Sequence, residues 1–514
     1  MNLLASGNTG TVTFPLSRFG ALLALSIIVL GVAIQATGQQ IYDNSYLITV
    51  AEKVLDGATP YVDVAEVNLP ATWLLYMPAV ILHKWSGLRA EAFVVVEILA
   101  LTFASGLATM RVLREAHLDH DIDLNIVNAV ALFASLIVWG ANFGQREHFA
   151  VLCLLPMLAV CAARAAGARL SARTAILAGV LAAVVVCLKP FYALPLGLPI
   201  LASILIRRSP RTAFAPENCA AALTTLVYYV AVAKLTPAYF TIEMPQLVSV
   251  YIVGRYPLAV ILTHPMALYL IAALSVLAYL CWRGRDTRAI MLTASAAGFF
   301  LTYVVQGKMS FNHGLPAIHL ALVAFGVEYA RRRMANPENA GAFLRLVLTP
   351  AAAIAPIFGM IHVDILQIDT YPGLYQAVER VAPAHPSIGA IAQTGMVAFP
   401  TVRRVNGRWV GRACSIWAAE IGFYMLGLAS TTPDQKQRIK DVIHTQRAWL
   451  AEDLAQGKPD VILVEDAELR ARELATSELA HALDGYRHAA DASGVEIWLR
   501  ADAAAPEPAK NPQI

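Results

Sequence analysis

Charge is what this chain has least of. Of its 514 residues only 15% are Asp, Glu, Lys or Arg, while 58% are hydrophobic. An ordinary soluble domain carries about 25% charged residues, so a soluble globular enzyme is excluded. Cysteine is scarce too. The six Cys show neither a disulfide framework nor a metal-ligand spacing. Cys153, Cys161, Cys187, Cys219 and Cys281 fall inside or at the edge of apolar runs, where Cys packs as a small hydrophobe. Cys414 stands alone in a polar C-terminal region. There is no internal repeat. The first apolar run has no small-residue cleavage site and more apolar runs follow, so it reads as a signal anchor rather than a cleaved signal. A net charge of +3 says little by itself, and no nucleic-acid partner is expected.

What the chain has in abundance is long apolar runs. They recur from Phe14 to Ile361, each of a length that crosses a bilayer. About 11 transmembrane helices are expected, near 17–38, 91–113, 125–141, 148–167, 174–188, 191–206, 218–235, 258–281, 289–306, 314–330 and 343–361. The fold class is therefore an α-helical polytopic membrane protein. The run Leu69 to Trp85 is short, carries two prolines and ends in His-Lys-Trp, as an interfacial helix does. The positive-inside rule decides between crossing and lying flat. If this run does not cross, Arg111, Arg114, Arg164, Arg169, Arg173, Arg207, Arg208, Arg211, Arg283, Arg285, Arg288, Arg331, Arg332, Arg333 and Arg345 share one side. That is fifteen basic residues against five (Arg146, Lys189, Lys234, Arg255 and Lys308) on the other side after residue 90. The run is accordingly placed in the interface and the N-terminus in the cytoplasm.

Residues 1–362 then form the transmembrane region, with a long first external loop at 38–90. Residues 363–500 form a small soluble α/β domain on the external side, and 501–514 a disordered tail. Within the α/β domain, Pro459 to Asp466 and Val495 to Arg500 read as strands. Gln435 to Gln456, capped by Thr432, and Glu468 to Ala490 read as helices. In the first loop a helical period runs through Tyr46, Val50 and Val54 and ends at Gly57.

Positive-inside selection does not explain basic residues in short external loops. Arg146 sits in the cluster GQREH with Glu147 and His148; Lys189 sits in CLKPFY and Lys308 in VVQGKMSFNHG. Collected on one face, the external polar residues are Asp43, Asp63, Glu66, Arg146, Glu147, His148, Lys189, Arg255, Lys308 and His313. Ionisable groups at a membrane face point to function. Carboxylates there take a proton from an acceptor hydroxyl or hold a divalent cation (Mg or Mn). Basic residues hold a phosphate at headgroup depth. Together they suit deprotonation of an acceptor while a lipid phosphate leaves a sugar.

Four stretches carry a family resemblance: the acidic residue after the first span (YDNSY), the run GATPYVDVAEVNLP, the acidic residue in GQREHFA, and the late loop QGKMSFNHGLPA. In these the chain, over about residues 15–335, resembles the GT-C superfamily of integral-membrane glycosyltransferases. That group includes protein O-mannosyltransferases and the lipid A aminoarabinose transferase. The resemblance implies a polyprenyl-phosphate-sugar donor and inverting transfer at the periplasmic face of a bacterial inner membrane, with the C-terminal domain periplasmic. It implies Asp43 as general base and Glu147 as the second-loop acidic residue, with Lys189 on the lipid phosphate and Lys308 and His313 as the late-loop pair. Asp63, Glu66, Arg146, His148 and Arg255 are further substrate-binding candidates, and metal ligands stay open. Where relatives often carry Pro-Pro in the first-loop motif, this chain has Leu69-Pro70.

The acceptor, whether glycan, lipid or protein, is not legible. Two other functions compete. A transporter or lipid flippase for a lipid-linked glycan places ionisable groups at mid-membrane, commonly with internal repeats. Here the span centres are nearly charge-free, Glu97 excepted. A ligase joining lipid-linked glycans also performs glycosyl transfer, and differs in using a diphosphate-linked donor.

Overall fold

Ten of the eleven expected spans correspond to helices in the computed structural model, which describes residues 17–37, 41–252, 254–336, 341 and 370–504. The helices are Arg18–Thr37, Ala90–Glu115, Leu124–Leu136, Arg146–Ala166, Ala172–Leu188, Ala193–Arg207, Pro216–Leu235, Pro265–Gly284, Thr287–Gln306 and Phe311–Ala335. The expected span at 343–361 lies outside the described residues. Most of the helices are as long and apolar as a bilayer core requires. The span expected at 125–141 is a helix only to Leu136. It then turns through Gly140–Asn142 at the end of the bundle that carries the polar cluster. The span expected at 258–281 is broken at His264, before Pro265, because the residue ahead of a proline is driven out of the α region.

Helix Arg146–Ala166 is buried on every side and forms the axis of the bundle. Where neighbours approach most closely, glycine makes room. A Cβ on Gly179 would sit 2.1 Å from the Glu217 carbonyl, and one on Gly298 would sit 2.4 Å from the Pro195 Cα. Small residues at such crossings let backbones touch in a setting where no hydrophobic effect drives association. The end of the bundle away from the polar cluster is tied by charges. Arg288 pairs with Asp121 and Asp286, Arg331 with Asp286 and Glu328, and Arg164 with Glu217.

The first loop folds onto the opposite end. Helix Tyr42–Leu55 buries nearly all of its middle, and Gly57 ends it with φ +99°. The Leu69–Trp85 run is two short helices, Ala71–Leu74 and Met77–Ser86. Ten residues of helix reach only about 15 Å, half of a bilayer core, and Trp85 at its end is exposed.

The C-terminal region carries a five-stranded mixed sheet of order β2-β1-β3-β5-β4. Its strands are β1 (Ser387–Ile391), β2 (Arg408–Trp409), β3 (Val461–Val464), β4 (Tyr486–Ala492) and β5 (Val495–Arg500). The strands expected at 459–466 and 495–500 are β3 and β5. The expected helix at 435–456 spans Pro433–Gly457 with a full capping box at Thr432. The helix expected over Glu468 to Ala490 is corrected. Only Ala467–Leu474 is helical, and Tyr486–Ala492 is an edge strand paired with β5 through a turn at Ser493 and Gly494. Alanine-rich YRHAADA has helical propensity, but pairing along β5 satisfies its backbone and overrides it. Strand β1 was not foreseen.

This region docks on the first loop. Arg403 is bidentate to Glu52 at 2.8 and 2.9 Å and also reaches Glu91. Lys53 Nζ donates to the Gly411 carbonyl at 2.6 Å, and Tyr46 donates to the Arg412 carbonyl at 3.0 Å. Arg403→Ala leaves the largely buried Glu52 without its cation and Glu91 with only Arg89, 3.6 Å away. A cost of about 3 kcal/mol is expected. Hydrogen exchange should then quicken on both sides of the contact, in helix Tyr42–Leu55 and around residues 397–405. Unchanged exchange in both would mean that Arg403 does not hold the two parts together.

Candidate active site

Between the bundle, the first loop and the C-terminal region lies a cavity of about 680 Å³. Its walls come from distant parts of the chain. Tyr42, Asp43 and Tyr46 come from the helix after the first span; Glu66 and Asn68 from the first loop; Gln145 and Arg146 from the start of the axial helix. Tyr251, Lys308, Asn312 and His313 come from later segments between and at the starts of helices, and Thr394, Cys414 and Trp417 from the C-terminal region.

Asp43 stands in the first turn of helix Tyr42–Leu55. Its carboxylate meets Arg146 Nη2 at 2.9 Å. Arg146 is 8% exposed and opens the axial helix, so the guanidinium stays in place. Beneath it lies Glu147, with no exposed surface. Glu147 Oε1 accepts from Lys189 Nζ at 2.7 Å and from the Tyr192 hydroxyl at 3.2 Å, and lies 3.6 Å from Arg146 Nε. Lys189 also donates to Gln306 Oε1 at 3.3 Å and stands 3.5 Å from His313 Nε2. The structure thus gathers Asp43, Arg146, Glu147, Lys189 and His313 into one connected cluster. Only Asp43, Arg146 and His313 of these face the cavity; Glu147 and Lys189 form its foundation.

Glu66 reaches the cavity from the first loop, with Oε1 accepting from the Asn68 backbone and side-chain nitrogens at 3.0 and 2.5 Å. Burial raises its carboxyl above the usual range, opposed by the Arg146 guanidinium and the Asn68 hydrogen bonds. Lys308 donates to the carbonyls of Tyr251 and Gly254, both at 2.6 Å, and lies 4.1 Å from the centre of the Tyr251 ring. Burial first, then the charge of Arg255, pushes its ammonium down to about 8.

Three expected site residues lie elsewhere. Asp63 is an exposed turn cap that accepts from the Thr59 N–H at 2.8 Å. Arg255 is exposed and donates to the Val304 carbonyl at 3.2 Å. His148 is buried, stacked on Trp139 at 4.3 Å and edge-on to Phe143 at 5.0 Å. One helical residue after Glu147, it points about 100° away around the helix. Glu97 is also remote from the cavity wall, with both carboxylate oxygens buried and without a hydrogen-bond partner.

Residues missed from the sequence are mostly neutral. Gln145 and Asn312 join side chain to side chain at 2.8 Å on the cavity floor, and both flank charged residues already singled out. Glu243 is buried near Glu66 and pushed up to about 8, by burial first and then by that neighbour. It sits in an apolar stretch (YFTIEMPQ) whose lone carboxylate was the signal. For a divalent cation, no group of three or more His, Cys, Asp or Glu side chains gathers among the described residues. The two cavity carboxylates already have partners in Arg146 and Asn68.

No family model matches the sequence, and no curated protein does. Solved structures do match. ArnT from Cupriavidus metallidurans in the apo state superposes with a TM-score of 0.54 at 13% identity, over 94% of this chain and 98% of that one. The same protein bound to undecaprenyl phosphate gives 0.52 at 14% identity, over 94% and 97%. The correspondence runs through both the bundle and the C-terminal region, and on it the chain shares the overall fold of ArnT.

Proposed function

We propose that this protein transfers a sugar from a polyprenyl-phosphate donor to an acceptor at the external face of the membrane, with inversion. The observation that carries the proposal is the Asp43–Arg146 pair. A carboxylate and a fixed guanidinium 2.9 Å apart share the wall of one cavity, in a chain with the fold of a protein crystallised with undecaprenyl phosphate.

Asp43 takes the proton from the acceptor nucleophile. The nucleophile attacks the anomeric carbon from the face opposite the phosphate, and the bond from that carbon to the phosphate oxygen breaks. Arg146 and Lys308 offset the charge that develops on the departing polyprenyl phosphate. Glu66 orients the acceptor, and His313 lines the donor side. Glu147 and Lys189 act at one remove, by holding Arg146. The division at residues 362 and 363, the bacterial inner membrane, a cytoplasmic N-terminus and a periplasmic C-terminal region belong to the same proposal. The C-terminal region roofs the cavity and would bound the acceptor side.

A donor assay on purified protein tests this. A panel of polyprenyl-phosphate sugars is offered with candidate acceptors, and released polyprenyl phosphate is measured. Acceptor-dependent release is expected from one donor; vectorial movement of a lipid-linked glycan without release would replace the proposal with a transporter.

Lys308 gives a pH prediction. Below about 8 it is an ammonium and attracts phosphate; above that it is neutral and does not. Affinity for polyprenyl phosphate is expected to fall as pH rises through about 8, well above the second ionisation of a phosphate monoester at about 6. Lys308→Arg should flatten this limb. An identical pH profile in the variant would remove Lys308 from the donor site.

A further inference from the structure

Two helix starts meet on the floor of the cavity, and neither is capped by a side chain. Helix Arg146–Ala166 begins at Gln145 and helix Phe311–Ala335 at Ser310, and neither residue's side chain accepts from its own first turn. First-turn N–H groups have no partner within the helix and lie at the positive end of its dipole. The two starts are bound together by Asn312 Nδ2 donating to Gln145 Oε1 at 2.8 Å. That bond occupies the Gln145 oxygen. Its amide nitrogen has no hydrogen-bond partner, although the residue is only 1% exposed and lines the cavity. His313 Nδ1, 5% exposed in the same wall, also has none. A buried donor left without an acceptor is costly to keep. Of the nearby carboxylates, Asp43 is engaged by Arg146 and Glu147 Oε1 by Lys189, while Glu147 Oε2 is buried without a hydrogen-bond partner.

We infer that this double helix start is a phosphate subsite. Its donors are the Gln145 amide, the Ser310 hydroxyl and the N–H groups of Arg146, Glu147, Phe311 and Asn312, those of His148 and His313 being already given to the Gln145 and Ser310 carbonyls, and Arg146 beside it supplies charge. Uncapped helix N-termini bind phosphate by this combination of N–H groups and dipole. The inference rests on the donor reading above and deepens it. In place of Lys189, which is committed to Glu147, and Arg255, which is exposed elsewhere, it puts neutral groups beside Arg146 and Lys308 as holders of the donor phosphate.

The test uses the full chain in nanodiscs with three probes: a polyprenyl phosphate, the matching polyprenol and inorganic phosphate. Two variants are compared with wild type. Ser310→Asp places a carboxylate at a helix N-cap, where it favours folding, yet occupies the N–H groups and repels an anion. Gln145→Glu replaces the unpartnered donor by an acceptor of the same shape. Wild type is expected to bind polyprenyl phosphate about tenfold or more tighter than polyprenol. Both variants should lose that preference, Ser310→Asp with a thermal midpoint near or above wild type and Gln145→Glu with a lower one, because it buries a second carboxylate beside Glu147. Folded variants that keep the preference within about threefold would overturn the subsite and leave the donor reading standing. Inorganic phosphate bound in a Gln145-dependent way, with no preference for polyprenyl phosphate over polyprenol, would keep the subsite for a soluble anion and sink the lipid-donor reading. Wild type that binds neither phosphate would overturn both.

Discussion

Asp43→Asn is expected to lose about 10²–10⁴-fold in turnover, the range that general-base catalysis contributes, while donor binding is retained or tightened. The second half of that expectation separates a base from a structural partner. Asp43 neutralises Arg146 at 2.9 Å. Removing its charge frees the guanidinium for the donor phosphate, so affinity for polyprenyl phosphate should rise or hold. If the carboxylate served only to anchor Arg146, its removal would loosen the guanidinium and weaken donor binding together with turnover. Turnover is read as released polyprenyl phosphate and binding by titration with the same lipid. Wild-type turnover in Asp43→Asn would end the base assignment.

Glu147→Ala is expected to cost about 3–5 kcal/mol, the penalty for breaking a buried ion pair from one side. Glu147 has no exposed surface, and its loss leaves Lys189 buried without a counter-charge beside Arg146. The variant should therefore accumulate poorly or melt early. The informative comparison is a cycle of Glu147→Gln, Lys189→Met and the double variant. Removing both charges restores neutrality, so the double variant should be more stable than either single one. Its turnover should still be reduced, because Arg146 loses the contact that fixes it. Additive destabilisation would show that the pair does not act as a unit. Full turnover in Glu147→Gln would mean that Arg146 needs no foundation.

These two residues show how differently the site could be read in advance. Asp43 was legible because a carboxylate directly after a membrane span, on the external side, has few structural reasons to be there. Glu147 was legible as ionisable but not in its place. Sequence spacing does not say which way the first turn of a helix faces, and one residue of offset separates Arg146 on the cavity wall from Glu147 under it and His148 against Trp139. The charged external residues could be collected by sidedness, and sidedness put Asp63 and Arg255 in the same set. The structure turns both out to solvent. Gln145 and Asn312 were passed over because neutral amides carry no sidedness signal, although each adjoins a charged residue of the cluster.

The sequence by itself determined the solvent of each segment and hence the architecture. Apolar runs of bilayer length have no stable place in water and must be helical in lipid, where every backbone group needs an internal partner. It also determined β3, β5 and the capped helix after Thr432, whose local patterns agree with their final state. Only the tertiary structure decided β4 and β1, since a strand exists through its neighbour. It also decided the contact of Arg403 with Glu52, some 350 residues apart, and the meeting of two uncapped helix starts over one cavity. Those depend on which distant backbone groups and charges come within hydrogen-bond reach, and no local period records that.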